Sequence, residues 1–263
     1  MHLKRLIVAI ILVPLFYLYV MRLPAEYFLF ILIFFSTVGL MEFYSMFRIQ
    51  GLLRYAGIFW GALLPAVFFI QTGLVADILL LAVLTITAMR LLFKRDPAGS
   101  LSEVAAVLLG LLYIPGLLSF QLRLIQNGPA WVILLYASVW ASDSMAYYVG
   151  KSIGKRKLYR EISPNKTVAG AVGSVLGGML GAAVIKVAVL SHMTLWQAVL
   201  AGSLIGAATI IGDLVESMFK RDAGIKDSSR IIPGHGGVLD KIDGVTFAGP
   251  VFYWLCLGLG LVR

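Results

Sequence analysis

Asp213, Glu216, Ser217 and Lys220 stand at i, i+3, i+4 and i+7 near the end of a very apolar stretch. On a helix this spacing puts all four on one face. The run that follows, Ser217 to Asp243, holds four Asp, five Lys or Arg and one His around a Pro233-Gly234-His235-Gly236-Gly237 turn. Asp240 and Asp243 close the run three residues apart, so they share a face of a helical turn. Carboxylates, cations and flexible glycines in one place suit metal-assisted chemistry on a phosphorylated substrate. A hard cation such as Mg²⁺ takes a few carboxylates and leaves its other positions to water and phosphate oxygens. Asp213, Asp240 and Asp243 would supply such a site if the ends of their two helices meet. Plainer roles also exist. Glu216 and Lys220 fit an interfacial pair whose lysine snorkels, and an Asp near a helix start suits the helix dipole. Asp213 is the deepest of the set and has no cation on its own turn, so it fits the plain reading poorly.

Two other polar places stand out. Ser163-Pro164-Asn165-Lys166-Thr167 precedes an apolar segment, with Pro and Thr where a helix start wants them. A helix N-terminus with a Lys and hydroxyls is also a ready anion site. Ser142-Asp143-Ser144, with Tyr147 and Gly150, puts a carboxylate inside another span. Such a residue is either functional or bonded to the neighbouring serines. His235 is either a loop histidine with a backbone partner or a group that meets phosphate or moves a proton.

These residues sit in a chain of 263 residues that is 60% hydrophobic and only 13% charged. Soluble domains carry about a quarter charged residues, so the composition defines an integral membrane protein. Single-span length needs roughly 20 apolar residues. About nine segments qualify on that rule: 6–21, 27–46, 56–71, 74–93, 103–122, 130–150, 167–190, 195–217 and 244–262. Backbone groups in lipid must be satisfied internally, which makes these helices. No ten-residue alternation of the β-barrel kind is present. Lys4 and Arg5 before the first segment resemble a signal peptide, but no small-residue cleavage site follows, so an uncleaved first helix is expected. With nine helices, about eighteen of the 22 Lys and Arg fall on one side. The N-terminus is then cytosolic and the C-terminus outside. The net charge of +9 is accounted for by this bias, with no nucleic acid needed. Cys256 is the single cysteine, which excludes an intrachain disulfide.

The fold class expected is an all-α polytopic membrane protein without a soluble domain. Residues 1–125 read as a transmembrane scaffold with short loops. Residues 126–263 read as the catalytic region, with cytosolic loops 151–166 and 218–243. Gly173, Gly177 and Gly181, and Gly202 and Gly206, repeat at a spacing that lets helix backbones approach in lipid.

The Ser217–Asp243 run resembles the signature of CDP-diacylglycerol synthases, the phosphatidate cytidylyltransferases. The matching residues are Ser217, Lys220-Arg221, Lys226-Asp227, Pro233 to Gly237, Asp240-Lys241 and Asp243. Gly212-Asp213-Leu214-x-Glu216-Ser217, Ser163-Pro164-x-Lys166-Thr167 and Asp143 with Ala146-Tyr147 and Gly150 fit as well. Three positions depart: Lys241 stands for Arg, Asn165 for Lys and Ala169 for Glu. Lys241 keeps the charge but loses the planar fork of a guanidinium.

The resemblance implies that CTP and phosphatidate give CDP-diacylglycerol and pyrophosphate, with Mg²⁺, in phospholipid biosynthesis. It implies Asp213, Asp240 and Asp243 as metal ligands. Lys220, Arg221, Lys226, Lys166 and Lys241 would neutralise phosphates; Asp227 and His235 would orient them. Ser163, Thr167, Ser217, Gly236 and Gly237 would complete the binding surface. The expected partners are the two substrates and membrane lipids, with a homodimer admitted. The expected setting is a bacterial inner membrane with the site facing the cytosol. A polar cavity is expected at the cytosolic ends of helices six to nine, open to lipid and water. Two other readings remain at this point: a CTP-dependent kinase of a polyprenol-type lipid, which would release CDP, and a transporter coupled to protons or cations.

Overall fold

The computed structural model describes residues 13–229 and 236–263. His235 and the turn residues Pro233 and Gly234 lie outside them. The chain is an all-α polytopic membrane protein. Helix α1 spans Val13–Arg22. It is followed by α2 (Ala25–Met46), α3 (Gly51–Ile70), α4 (Val75–Phe93) and α5 (Ser100–Leu111). A π-helical turn at Leu112–Gly116, carrying Pro115, leads on to α6 (Phe120–Gln126). Then come α7 (Pro129–Ile153), α8 (Val168–Ala188), α9 (Leu195–Asp222) and α10 (Leu239–Gly258). Six helical segments among the described residues are long and apolar enough to cross a membrane. Helices α7 and α10 are as long, but they carry the carboxylates and hydroxyls that face the site. Large apolar side chains such as Leu80, Leu84 and Leu91 are exposed, as lipid-facing residues should be.

The first half is held by aromatic packing onto glycines. Helix α2 ends with Arg48 in the left-handed region (φ 55°), and the Ile49 amide reaches back to Tyr44 O at 2.8 Å. That Schellman-type end turns the chain into α3. Tyr44 is fully buried and donates to Val107 O at 2.9 Å. A Cβ at Gly57 would meet its ring oxygen at 2.5 Å, and one at Gly110 its ring edge at 2.7 Å.

The second half is built by backbone contact. A Cβ at Gly173 would stand 2.8 Å from Met145 O, and one at Gly181 2.8 Å from Ala137 O, both on α7. Across α8, a Cβ at Gly206 of α9 would stand 2.6 Å from Ser174 O. The glycine spacing in the sequence thus draws α7, α8 and α9 together, as small residues do in lipid. Gly177→Val is expected to force α8 away from Ala141 and Met145 of α7 and to destabilise the chain by about 1–3 kcal/mol. A lowered melting temperature in detergent checks this, and an unchanged one would contradict the contact.

The loop expected at 151–166 contains a small β-hairpin. Strand β1 (Lys157–Tyr159) pairs antiparallel with β2 (Ser163–Thr167). Thr167 then caps α8, accepting from the Gly170 amide at 3.1 Å. Helix α10 begins at Leu239, five residues before the apolar segment expected from 244. Its first turn therefore holds Asp240, and Asp243 opens the next turn.

Candidate active site

Helices α9 and α10 run antiparallel and touch through their backbones. A Cβ at Gly212 would lie 2.5 Å from Asp243 O, and one at Gly244 would lie 2.9 Å from Thr209 Cγ2. This approach sets Asp213 beside Asp243. Carboxylate oxygens of Asp213, Glu216 and Asp243 all lie within 4.8 Å of one another. Three hard oxygen donors at that spacing fit a divalent cation. The sequence pairs Asp213 and Asp243 with Asp240; the structure adds Glu216 beside the first two, while Asp240 lines the same cavity.

Asp240 is engaged elsewhere. Its Oδ1 pairs with Lys220 Nζ at 2.5 Å. Its Oδ2 accepts from the Gly237 amide at 2.7 Å, the Ser228 hydroxyl at 2.8 Å and the Ser228 amide at 3.2 Å. Lys220 also pairs with Glu216, one turn back on α9. Glu216 is fully buried and Lys220 is 8% exposed, so the ammonium serves two acids away from water. The snorkelling role considered for Lys220 does not hold, because its head points inward.

Asp213, Asp240 and Asp243 open onto a cavity of about 690 Å³, with Glu216 and Lys220 behind its wall. Asp143, Asp213, Asp240 and Asp243 line it on the acidic side, and Lys151, Lys157 and Lys166 supply cations. Asn165 and Thr167 of β2, with Gly150, Gly154 and Gly170, complete the wall nearest the hairpin. Lys166 Nζ stands 2.7 Å from Asp213 Oδ2. The cavity therefore lies between α7, α8, α9, α10 and the hairpin, where the polar segments of the sequence meet.

The remaining expected residues are spread around this centre. Arg221 donates to Ile162 O at 3.2 Å and to Ile225 O at 3.0 Å, tying the hairpin turn to the end of α9. Lys226, Asp227 and Lys241 are exposed. Ser163 is half-buried on β2, and Ser217 is buried on α9. Gly236 adopts a positive φ of 83°, where a side chain would be strained. Gly237 is buried, and a Cβ there would lie 2.5 Å from the Glu42 oxygens.

Glu42 is the residue that sequence reasoning missed. It lies on α2, in the half read as scaffold, and is 3% exposed. Its oxygens accept from the Ser229 hydroxyl at 2.5 Å, the Val238 amide at 2.9 Å and the Leu239 amide at 2.8 Å. The single proton of the Ser228 hydroxyl is shared between Asp240 and Glu42, which lies 3.1 Å away. The signal was present: an acid between Met41 and Phe43 inside a span is costly unless it has partners.

The arrangement joins three acids, a lysine within reach of one of them, and a roomy cavity at the polar ends of membrane helices. The chain belongs to the cytidylyltransferase family, whose model matches residues 3–258. It is 36% identical over 202 residues to the phosphatidate cytidylyltransferase of Bacillus subtilis (strain 168), covering 74% of each chain. It is 36% identical over 179 residues to the enzyme of that name from Staphylococcus epidermidis, covering 68% of this chain and 66% of the relative. It is also 40% identical over 166 residues to "Uncharacterized protein YnbB" of Escherichia coli (strain K12), covering 60% of this chain and 55% of the relative. Against these last two relatives the chain spans between about half and two thirds of their length.

Proposed function

We propose that this chain transfers a cytidylyl group from CTP to phosphatidate, giving CDP-diacylglycerol and pyrophosphate, and so serves phospholipid biosynthesis. The observation that carries this reading is the meeting of Asp213 and Asp243 beside Lys166 on the wall of a cavity of about 690 Å³, with buried Glu216 within 4.8 Å of both acids. Membership of the cytidylyltransferase family and the names of two of its relatives support it.

In this reading Asp213, Glu216 and Asp243 hold Mg²⁺. Mg²⁺ held by these acids would neutralise triphosphate charge and polarise the phosphorus under attack. A phosphate oxygen of phosphatidate forms a bond to the α-phosphorus of CTP. The bond from that phosphorus to the bridging oxygen breaks, and pyrophosphate leaves with its electron pair. The attacking oxygen is already anionic, so catalysis consists of positioning and charge neutralisation. Lys166, Lys151 and Lys157 face the triphosphate. Lys220 holds Glu216 and Asp240 in place rather than meeting phosphate. Arg221 braces the hairpin, and exposed Lys226 and Lys241 draw anions toward the mouth. Residues 126–263 carry the reacting groups and residues 1–125 the scaffold, with Glu42 reaching across.

The setting proposed is nine spans, with the N-terminus in the cytosol of a bacterium and the cavity at the inner face of its cytoplasmic membrane. CTP then arrives from water and phosphatidate from the side, through lipid. The test is pyrophosphate release from labelled CTP in detergent micelles. Release that needs both phosphatidate and Mg²⁺ is the expected result. CDP as product would replace this reading with a lipid kinase, and flux in sealed vesicles without turnover would replace it with a transporter. Lys166→Ala is expected to raise the apparent KM for CTP more than that for phosphatidate. Initial-rate curves for both substrates check the ranking, and the reverse order would reassign the hairpin to lipid.

A further inference from the structure

We infer that Glu42 is a positioning residue that sets the start of α10, and with it the acids of the site, from the far half of the chain. The inference rests on the cytidylyltransferase reading for its kinetic arm alone. Glu42 is separated from its partners by more than 180 positions in sequence, yet its two oxygens meet the Ser229 hydroxyl and the first amides of α10. The Val238 and Leu239 amides belong to the helix start, where no residue of the helix can accept from them. Glu42 is the acceptor they need, and it comes from α2. No side chain of the Val238 cap position can do this work.

The connection runs on to the site without a gap. Ser228 lies against both Glu42 and Asp240. Asp240 holds Lys220, and Lys220 holds Glu216 of the acidic triad. Asp243, another member, stands one helical turn past the two amides Glu42 secures. Gly237 lacks the side chain that would strike the Glu42 carboxylate, so the loop can lie flat against it. Moving the start of α10 would therefore shift Asp243 along its axis while Asp213, fixed on the α7–α8–α9 block, stayed in place. Glu42 has no place among the cavity walls, so its effect passes through position and not contact with substrate.

Two measurements on the full-length protein test this, using Glu42→Gln, Ser229→Ala and the double variant. The first is amide hydrogen exchange of residues 236–240, which requires no activity. Glu42→Gln keeps the shape but turns an amide group toward N–H donors. Exchange in that segment is expected to quicken at least tenfold, with α8 unchanged. The second is turnover across Mg²⁺ concentration. Glu42→Gln is expected to lower kcat at least tenfold and to raise the Mg²⁺ needed for half-maximal rate severalfold, with the KM for phosphatidate within twofold. Ser229→Ala should show a smaller change of the same kind. The double variant should add little beyond Glu42→Gln, since both act through one contact. Unchanged exchange at 236–240, additive effects, or a loss that is confined to KM would each overturn the inference. Absence of turnover in the unaltered protein would instead count against the cytidylyltransferase reading, and the exchange result would still decide the role of Glu42.

Discussion

Asp213→Asn is expected to lower kcat by about a thousandfold or more while the protein stays folded. In the proposed reading, this change would remove one of the three carboxylates, Asp213, Glu216 and Asp243, that could hold the cation. A bound cation supplies several kcal/mol of charge stabilisation in such reactions, and each ~1.4 kcal/mol is tenfold in rate. Asp213 is partly exposed and pairs with Lys166, whose Nζ is buried, so the melting curve also reads the cost of leaving that ammonium unpaired. Pyrophosphate release against Mg²⁺ concentration, with a melting curve in detergent, makes the comparison. Asp240→Asn is the control. It should lower the melting temperature, because Lys220 and three donors depend on its oxygens, and should raise the Mg²⁺ requirement by less than Asp213→Asn does. Near-normal turnover in Asp213→Asn would remove the triad from the reaction.

Lys220→Met is expected to be the most damaging single change to stability. It strands Glu216, which is fully buried, and leaves one oxygen of Asp240 without its cation. Breaking a buried ion pair from one side costs about 3–5 kcal/mol, because the abandoned charge stays out of water. Adding Glu216→Gln should restore part of that stability, since the stranded charge is then gone. Turnover should not return, because Glu216 is also a proposed ligand. Melting curves of the two single variants and the double variant measure the coupling. Equal stability of Lys220→Met and the starting protein would show that the buried network carries little.

Hydropathy alone exposed most of the architecture. Helices occupy every segment read as apolar within the described residues, because a long apolar run without barrel-type alternation can satisfy its backbone groups in lipid only as a helix. The hairpin was not legible. Strands of three and five residues, rich in Lys, Tyr, Pro and Asn, show no alternation to read. The start of α10 was set too late for a related reason: its first turn is polar where it faces the site, so an apolar window begins after it.

At the site, the one-face reading of Asp213, Glu216, Ser217 and Lys220 agrees with the geometry. The choice of Glu216 as the neighbour of Asp213 and Asp243 did not follow from sharing a helical turn. Asp240 and Asp243 differ by about 4.5 Å along α10, and Asp213 and Lys220 by about 10 Å along α9, from the rise per residue. Because the helices are antiparallel, the residues nearest the connecting loop align with each other. Asp240 meets Lys220, while Asp243 meets Asp213 and Glu216. Direction along paired helices, not periodicity, made that choice. Glu42 needed no new principle, only the same suspicion of an intramembrane acid that was applied to Asp143.

The closeness of α9 and α10 at Gly212 has a consequence for ion selection. No side chain intervenes between Gly212 and the Asp243 carbonyl, so main chain rests on main chain. The gap between the backbones that carry Asp213 and Asp243 is thus set by direct contact, and their carboxylates meet across it through rotatable side chains. An alanine at Gly212, although it touches neither substrate nor ion, would widen that gap, and the loss would surface as weakened discrimination among cations of different radius.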